Sequence, residues 1–437
     1  MALATRPRTR EPAEQRGAYR LAAPRLARLA RLAVVTAGTG VAFIVAHDGT
    51  PIWQVLRLLA VAGLTVVAWR AVDHQLDRRV GRFAMAAGLL AVPIGAGIAG
   101  PHLAKSGPVL TTLAGLAALI GGVVLLVIGA ATLIRAAPSW RRVPVVAALL
   151  LVTFVVTWSF SQAIASTNVP RTDVGSATPA DRELVYRDVR FLSSDGVSLS
   201  GWYIPSETGA AVVLLHGAGS SRSSVLDHAV VLARHGYGVL LYDARGHGRS
   251  DGRAMDFGWY GDKDVAGAVA FLAAQSGVDD DRIAAVGMSM GGEQAIGAAA
   301  TNERIQAVVA EGATNRIADD RAWQSDEFGW RGAAQERFDW LTYRLTDLLT
   351  TADPPVALRQ AVRSAAPRPV LLIAAGSVVD EARAARYFRD GSPDSVKVWV
   401  APGTGHTDAL DTYPDEWEAR VIAFLDRALA LGRGIAS

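Results

Sequence analysis

Hydrophobic positions change their pattern about two-fifths of the way along the chain. Between Leu32 and Ala165 they fall into five stretches, Leu32–Ala46, Ile52–Trp69, Phe83–Ala104, Val109–Ile134 and Val143–Ala165, separated by short polar connections. The last three are uninterrupted and have the roughly 20 residues needed to cross about 30 Å of hydrocarbon. The first is shorter, and Ile52–Trp69 carries Gln54 and Arg57. Runs with so few charges have no polar face to turn towards water, so the pattern predicts an all-α transmembrane bundle of about five helices over 32–165. A cleaved leader would supply one apolar core rather than several.

From Leu184 the apolar runs become short and β-branched. Leu184–Leu192 and Val197–Ile204 read as two strands joined by the turn at Ser194–Gly196. Six further runs follow: Ala211–Leu215, Val239–Tyr242, Ile283–Val286, Ile305–Ala310, Val370–Ala374 and Val396–Val400. Helical segments at Ser224–Arg234, Lys263–Ala274, Gly291–Ala300, Glu381–Arg389 and Glu416–Ala430 alternate with them. Strands that are apolar on both faces and separated by helices predict a mostly parallel sheet with helices on both sides. Chemistry in such sheets gathers at the carboxyl ends of the strands. The domains expected are a basic arm over 1–31, the membrane bundle over 32–165, a turn-rich linker over 166–182 and an α/β domain over 183–437. An insert over about 312–367 is longer than a sheet crossover needs.

Charge sharpens this division. Up to Pro170 there are 17 Lys and Arg against 5 Asp and Glu; from Arg171 there are 27 against 36. The acidic second part argues against a nucleic-acid partner, which needs a concentrated basic surface. The arginines before Leu32 (Arg6 to Arg31) and those at Arg70, Arg78, Arg79, Arg82, Arg135, Arg141 and Arg142 fall in alternate connections. By the positive-inside rule the N-terminus is then cytoplasmic, and five crossings place the α/β domain outside the cytoplasm. Without cysteine there are neither disulfides nor thiolate chemistry, and the eight histidines show no metal-ligand spacing. No motif implies a cofactor.

The chemistry-bearing motif is Gly287-Met288-Ser289-Met290-Gly291, a GxSxG pattern between the strand Ile283–Val286 and a helix rich in small residues. A serine on such a strand–turn–helix corner is presented as a nucleophile. The domain resembles the α/β-hydrolase family from about Glu183 to Gly432. The resemblance rests on this motif, on His216-Gly217-Ala218-Gly219 after the strand Ala211–Leu215, and on Asp243-Ala244-Arg245-Gly246-His247-Gly248-Arg249-Ser250 after the next strand. It implies an oxyanion hole made by the backbone N–H groups of Ala218 and Met290. His216 and His247 are read as loop-fixing residues.

Serine at neutral pH needs a base within hydrogen-bond reach. His406 is the only histidine after Ser289, and it sits in Gly403-Thr404-Gly405-His406, where the family carries its base. The family's acid belongs to the loop after Val370–Ala374, here Gly376-Ser377-Val378-Val379-Asp380-Glu381. Its commonest spacing falls on Val379, so Asp380 is the first choice, Glu381 the second, and Glu311 a distant third. The insert is rich in aromatics, of which Trp323, Trp330 and Trp340 are expected to line a substrate pocket or to pack the insert's own core. The resemblance implies a membrane-anchored serine hydrolase that cleaves an ester, thioester or amide, with a small or lipid-like ester as substrate and the bilayer as partner. Two other readings stay open: acyl transfer to an envelope acceptor by the same triad, and a non-catalytic membrane protein.

Overall fold

The computed structural model describes residues 28–42, part of 55–69, and 78–430. The chain divides into two compact units, Met1–Ala165 and Ser166–Ser437. In the first, residues 28–42 are helical and are followed by α1 (Arg78–Ser106), α2 (Leu110–Ala136) and α3 (Arg142–Thr167). The stretches Gly81–Ser106, Leu110–Ala136 and Ser139–Thr167 are long and apolar enough to cross a membrane, with mean hydropathies of 1.8, 2.6 and 2.3. They correspond to the three uninterrupted apolar runs of the sequence. Gly88 and Gly95 on α1 face Gly122 and Gly115 on α2, small residues that let the two backbones approach closely. Residues 1–27 of the arm expected over 1–31, most of the second apolar stretch and the connection over 70–77 lie outside the described residues, and residues 28–31 of that arm are already helical.

The second unit is built on an eight-stranded sheet in the order β1-β2-β4-β3-β5-β6-β7-β8. Its strands are β1 (Arg187–Leu192), β2 (Ser198–Ile204), β3 (Ala211–Leu215), β4 (Gly238–Tyr242), β5 (Ile283–Met288), β6 (Ile305–Glu311), β7 (Val370–Ala375) and β8 (Val396–Ala401). Only β1 and β2 run antiparallel to their neighbours; from β3 to β8 the pairing is parallel. All five residues of β3 are buried, since both faces of the sheet are covered. Ala211, Val213 and Leu215 pack on one side, while Val212 and Leu214 pack on the other, as the two-residue period of a strand requires. The first side is covered by α5 (Gly261–Ala273), α6 (Met290–Ala299), α8 (Leu358–Ala365) and α9 (Val379–Arg389). The second is covered by α4 (Leu226–Arg234) and α10 (Pro414–Ala428).

Parallel strands bring six chain exits to one edge. β5 ends at the serine corner, β7 at the loop before α9, and β8 at the loop bearing His406. From β6 the chain enters the helical insert, whose longest element is α7 (Trp330–Leu349). Tyr343 of α7 packs with Met255, Trp259 and Ala352 into a small core of its own, and the Trp259 indole N–H donates to the carbonyl of Arg316 at 2.8 Å. This is an α/β-hydrolase domain with a helical cap, preceded by apolar helices.

Candidate active site

Ser289 occupies the corner between β5 and α6 with φ 52° and ψ −121°. A non-glycine residue at positive φ is uncommon and costs of the order of 1–3 kcal/mol. The surroundings hold it there: Ser289 N–H donates to the carbonyl of Glu311 on β6 at 2.7 Å. The flanking glycines have steric reasons. A side chain at Gly291 would come within 2.6 Å of the Leu215 carbonyl oxygen, and one at Gly287 would overlap the Gly291 backbone.

The Ser289 hydroxyl donates to His406 Nε2 at 2.8 Å, and His406 Nδ1–H donates to Glu381 Oε1 at 2.6 Å. Three exits of the sheet thus place three side chains in one line. The exits themselves are tied together: Gly376 N–H donates to the Ala401 carbonyl at 2.7 Å, and Ser377 N–H to the Thr404 carbonyl at 3.1 Å. The second oxygen of Glu381 accepts from Ala375 N–H at 2.8 Å, which fixes the carboxylate plane. The hydrogen bond from His406 to Glu381 raises the imidazole pKa above its ordinary value, partial burial opposing it.

The carboxylate that meets His406 is therefore that of Glu381 and not, as the loop spacing suggested, that of Asp380. The reason is helical geometry. α9 begins at Val379, so residues 380 and 381 already lie on a helix and point about 100° apart. Glu381 turns inward and is 1% exposed. Asp380 turns outward, is 51% exposed, and lies 3.8 Å from Arg321 and 4.0 Å from Arg383. Glu311 is engaged elsewhere, accepting from Ala409 N–H at 2.9 Å and from the Trp417 indole N–H at 3.0 Å.

Met290 is the first residue of α6, where a backbone N–H has no intrahelical acceptor. Ala218 lies exposed on the loop after β3. That loop is braced by His216, whose Nε2 accepts from Ala244 N–H at 3.0 Å. The other ring nitrogen then carries the proton and donates to the Gly217 carbonyl at 2.7 Å. Burial lowers the His216 pKa to about 4, so the ring stays neutral and keeps this tautomer. Ser220 Oγ–H also donates to the Gly217 carbonyl, at 3.0 Å. Because the peptide is trans and planar, pinning Gly217 C=O from one side turns Ala218 N–H to the other. His247 is likewise buried, with Nδ1 3.1 Å from the Arg245 carbonyl. Both rings have the loop-fixing surroundings expected of them.

The aromatic expectation fares differently. Trp330 and Trp340 are 78% and 56% exposed on the outer face of α7, which packs inward through Gly332, Thr342, Tyr343 and Thr346. Trp323 is buried and packs against Phe328.

One residue at the site escaped sequence reasoning. Glu293, one turn into α6, is buried and accepts from Thr314 N–H at 3.0 Å and Asn315 N–H at 2.9 Å, holding the exit of β6. Burial pushes its carboxyl up to about 7. A glutamate four residues after the serine was the available signal.

Residues 206–357 match the family described as serine aminopeptidase, S33. The chain is 30% identical over 308 residues to the uncharacterized protein MT2364 of Mycobacterium tuberculosis, covering 67% of this chain and 98% of that protein. A second relative, the thiohydrolase aneE of Aspergillus aculeatus, is 35% identical over 136 residues, 30% of this chain and 43% of its own length. Among solved structures, the esterase Pf2001 of Pyrococcus furiosus is 28% identical over 60% of this chain and 98% of its own, with a TM-score of 0.48. With the GxSxG corner, the parallel sheet and the capped architecture described above, this chain belongs to the α/β-hydrolase family.

Proposed function

We propose that the chain is a membrane-anchored serine hydrolase that cleaves a carboxylic ester or thioester through an acyl-enzyme. The observation that carries this reading is the continuous relay Ser289–His406–Glu381, with contacts of 2.8 and 2.6 Å, on a serine held at positive φ. In the reaction Ser289 Oγ attacks the carbonyl carbon while its proton passes to His406 Nε2. Glu381 keeps the Nδ1–H tautomer and stabilises the imidazolium. The backbone N–H groups of Ala218 and Met290 receive the developing oxyanion; removing one such donor typically costs about 10²–10³ in rate. The tetrahedral intermediate collapses, the leaving alcohol or thiol takes the proton from His406, and the acyl group remains on Ser289. Water, deprotonated by His406, then attacks the acyl carbon; the bond to Ser289 Oγ breaks, Oγ takes the proton back from His406, and the acid leaves. Partial similarity to the thiohydrolase aneE favours including thioesters among the substrates.

The three long apolar helices support anchoring in a bilayer. The alternation of arginines supports a cytoplasmic N-terminus and an extracytoplasmic hydrolase domain. A small or lipid-like ester is the expected substrate. The test is turnover of a chain-length series of activated esters and thioesters by the full chain in detergent, beside Ser289→Ala. We expect the variant to fold as the parent and to lose activity by a factor above about 10³, as losing a triad member does. Comparable turnover by the two proteins would remove Ser289 as nucleophile.

A further inference from the structure

The segment between α3 and the hydrolase sheet is turn-rich in sequence and reads as a linker, yet Arg171–Asp173 within it is bound to the loops after β3 and β4. Thr172 Oγ1–H donates to the carbonyl of Gly219 at 2.8 Å, and Ser221 Oγ–H donates to the carbonyl of Asp173 at 3.1 Å. Gly248 N–H donates to the carbonyl of Thr172 at 3.0 Å. Arg171 Nη1 donates to the carbonyls of Gly248 at 3.0 Å and Ser250 at 2.6 Å, with that of His247 at 3.5 Å. Upstream, Arg253 Nε donates to the Thr167 carbonyl at 3.0 Å, and Asp256 N–H to the Ser166 carbonyl at 2.9 Å. Val174, which follows, is 2% exposed and belongs to the core beside Val225 and Leu226.

These bonds fall where they control one amide. Thr172 and Asp173 grip residues 219 and 221, on either side of Ser220. Ser220 in turn grips Gly217 C=O, the partner in its peptide of Ala218 N–H. Gly219 has φ +63°, so the chain reverses there and the loop has no regular structure to keep its shape. The Arg171 carbonyl contacts hold the turn after β4, whose Ala244 N–H sets the His216 tautomer. We propose that Arg171–Asp173 is a strap that positions the oxyanion loop, with Arg171 and Thr172 as its positioning residues. This rests on the hydrolase reading given above. On it, the chain leaving the last apolar helix is part of the catalytic apparatus rather than a passive tether, beginning four residues after Thr167.

The experiment uses the full chain in detergent, with active sites counted by a fluorophosphonate so that kcat refers to competent enzyme. Thr172→Val removes the hydroxyl at nearly constant shape; Thr172→Ser keeps it. A slightly misplaced oxyanion donor lowers transition-state binding more than ground-state binding. Thr172→Val should therefore lower kcat about tenfold, leave KM within about twofold, and weaken a boronate or trifluoromethyl ketone analogue in step with kcat. Thr172→Ser should restore kcat to within about twofold, and Arg171→Lys should be milder than Arg171→Ala. The proposal is overturned if Thr172→Val leaves kcat and analogue affinity unchanged, if Thr172→Ser is as impaired as Thr172→Val, or if the loss appears only as fewer active sites and a lower melting temperature. A parent chain that neither turns over esters nor reacts with the fluorophosphonate would instead sink the hydrolase reading itself.

Discussion

Glu381 and Asp380 are neighbours in sequence and opposites in surroundings. One is sealed against β7 and bonded to His406; the other sits in solvent between two arginines. Glu381→Gln keeps the volume but removes the charge that stabilises the imidazolium and allows the unproductive tautomer. We expect it to lower kcat by on the order of 10⁴, as such changes do where the acid is buried, and Asp380→Asn to change it less than about twofold, as expected of an exposed ion pair. The pH profile gives a second readout. His406 must be neutral to accept the serine proton, so activity rises with pH through its raised pKa. Glu381→Gln removes the leading cause of that rise, so the acid limb should move to lower pH even as the rate falls. A damaging Asp380→Asn with a mild Glu381→Gln would reverse the assignment. Choosing Asp380 from the sequence amounted to counting along a loop. No loop count shows that a helix already starts at Val379, and side-chain direction is set by that start.

Elements were more legible than side-chain directions. The runs Ala211–Leu215 and Ile283–Val286 read as strands because they are apolar at every position, and both lie in the parallel sheet, the second extended to Met288. Their order along the chain fixed which exits carry serine, acid and histidine. The strap was not legible: Arg171, Thr172 and Asp173 look like any polar linker, and their hydrogen-bond partners, two carbonyls and the Ser221 hydroxyl, lie more than 45 residues away. The outward face of α7 was equally hidden, since an aromatic-rich helix gives no sign of which ring turns inward. At this scale the junction of β5 with α6 is the sharpest point of stress. Gly291→Ala would put a methyl group 2.6 Å from the Leu215 carbonyl oxygen, which belongs to a fully paired strand and cannot retreat. Overpacking of this kind costs about 1–3 kcal/mol. We expect a lower denaturation midpoint and a lower rate together, measured by chemical unfolding and ester turnover on the same preparation. An unchanged midpoint would mean that the corner is looser than its contacts indicate.

The whole molecule joins apolar helices to an acidic hydrolase domain, and the arginine alternation makes a topological claim. A reporter active only outside the cytoplasm should work when fused after Ser437 and stay silent when fused at Gln75. The reverse result would mean that one of the two weaker apolar stretches fails to cross. Either orientation leaves the chemistry intact, so the central claim is tested at the serine itself. The most direct measurement is the mass and position of the adduct formed when the full chain in detergent reacts with a fluorophosphonate. We expect one adduct per chain, on the peptide containing Ser289, absent from Ser289→Ala and formed far more slowly by His406→Ala. A parent chain that stays unmodified, or an adduct that maps to another residue and persists in Ser289→Ala, would contradict that claim.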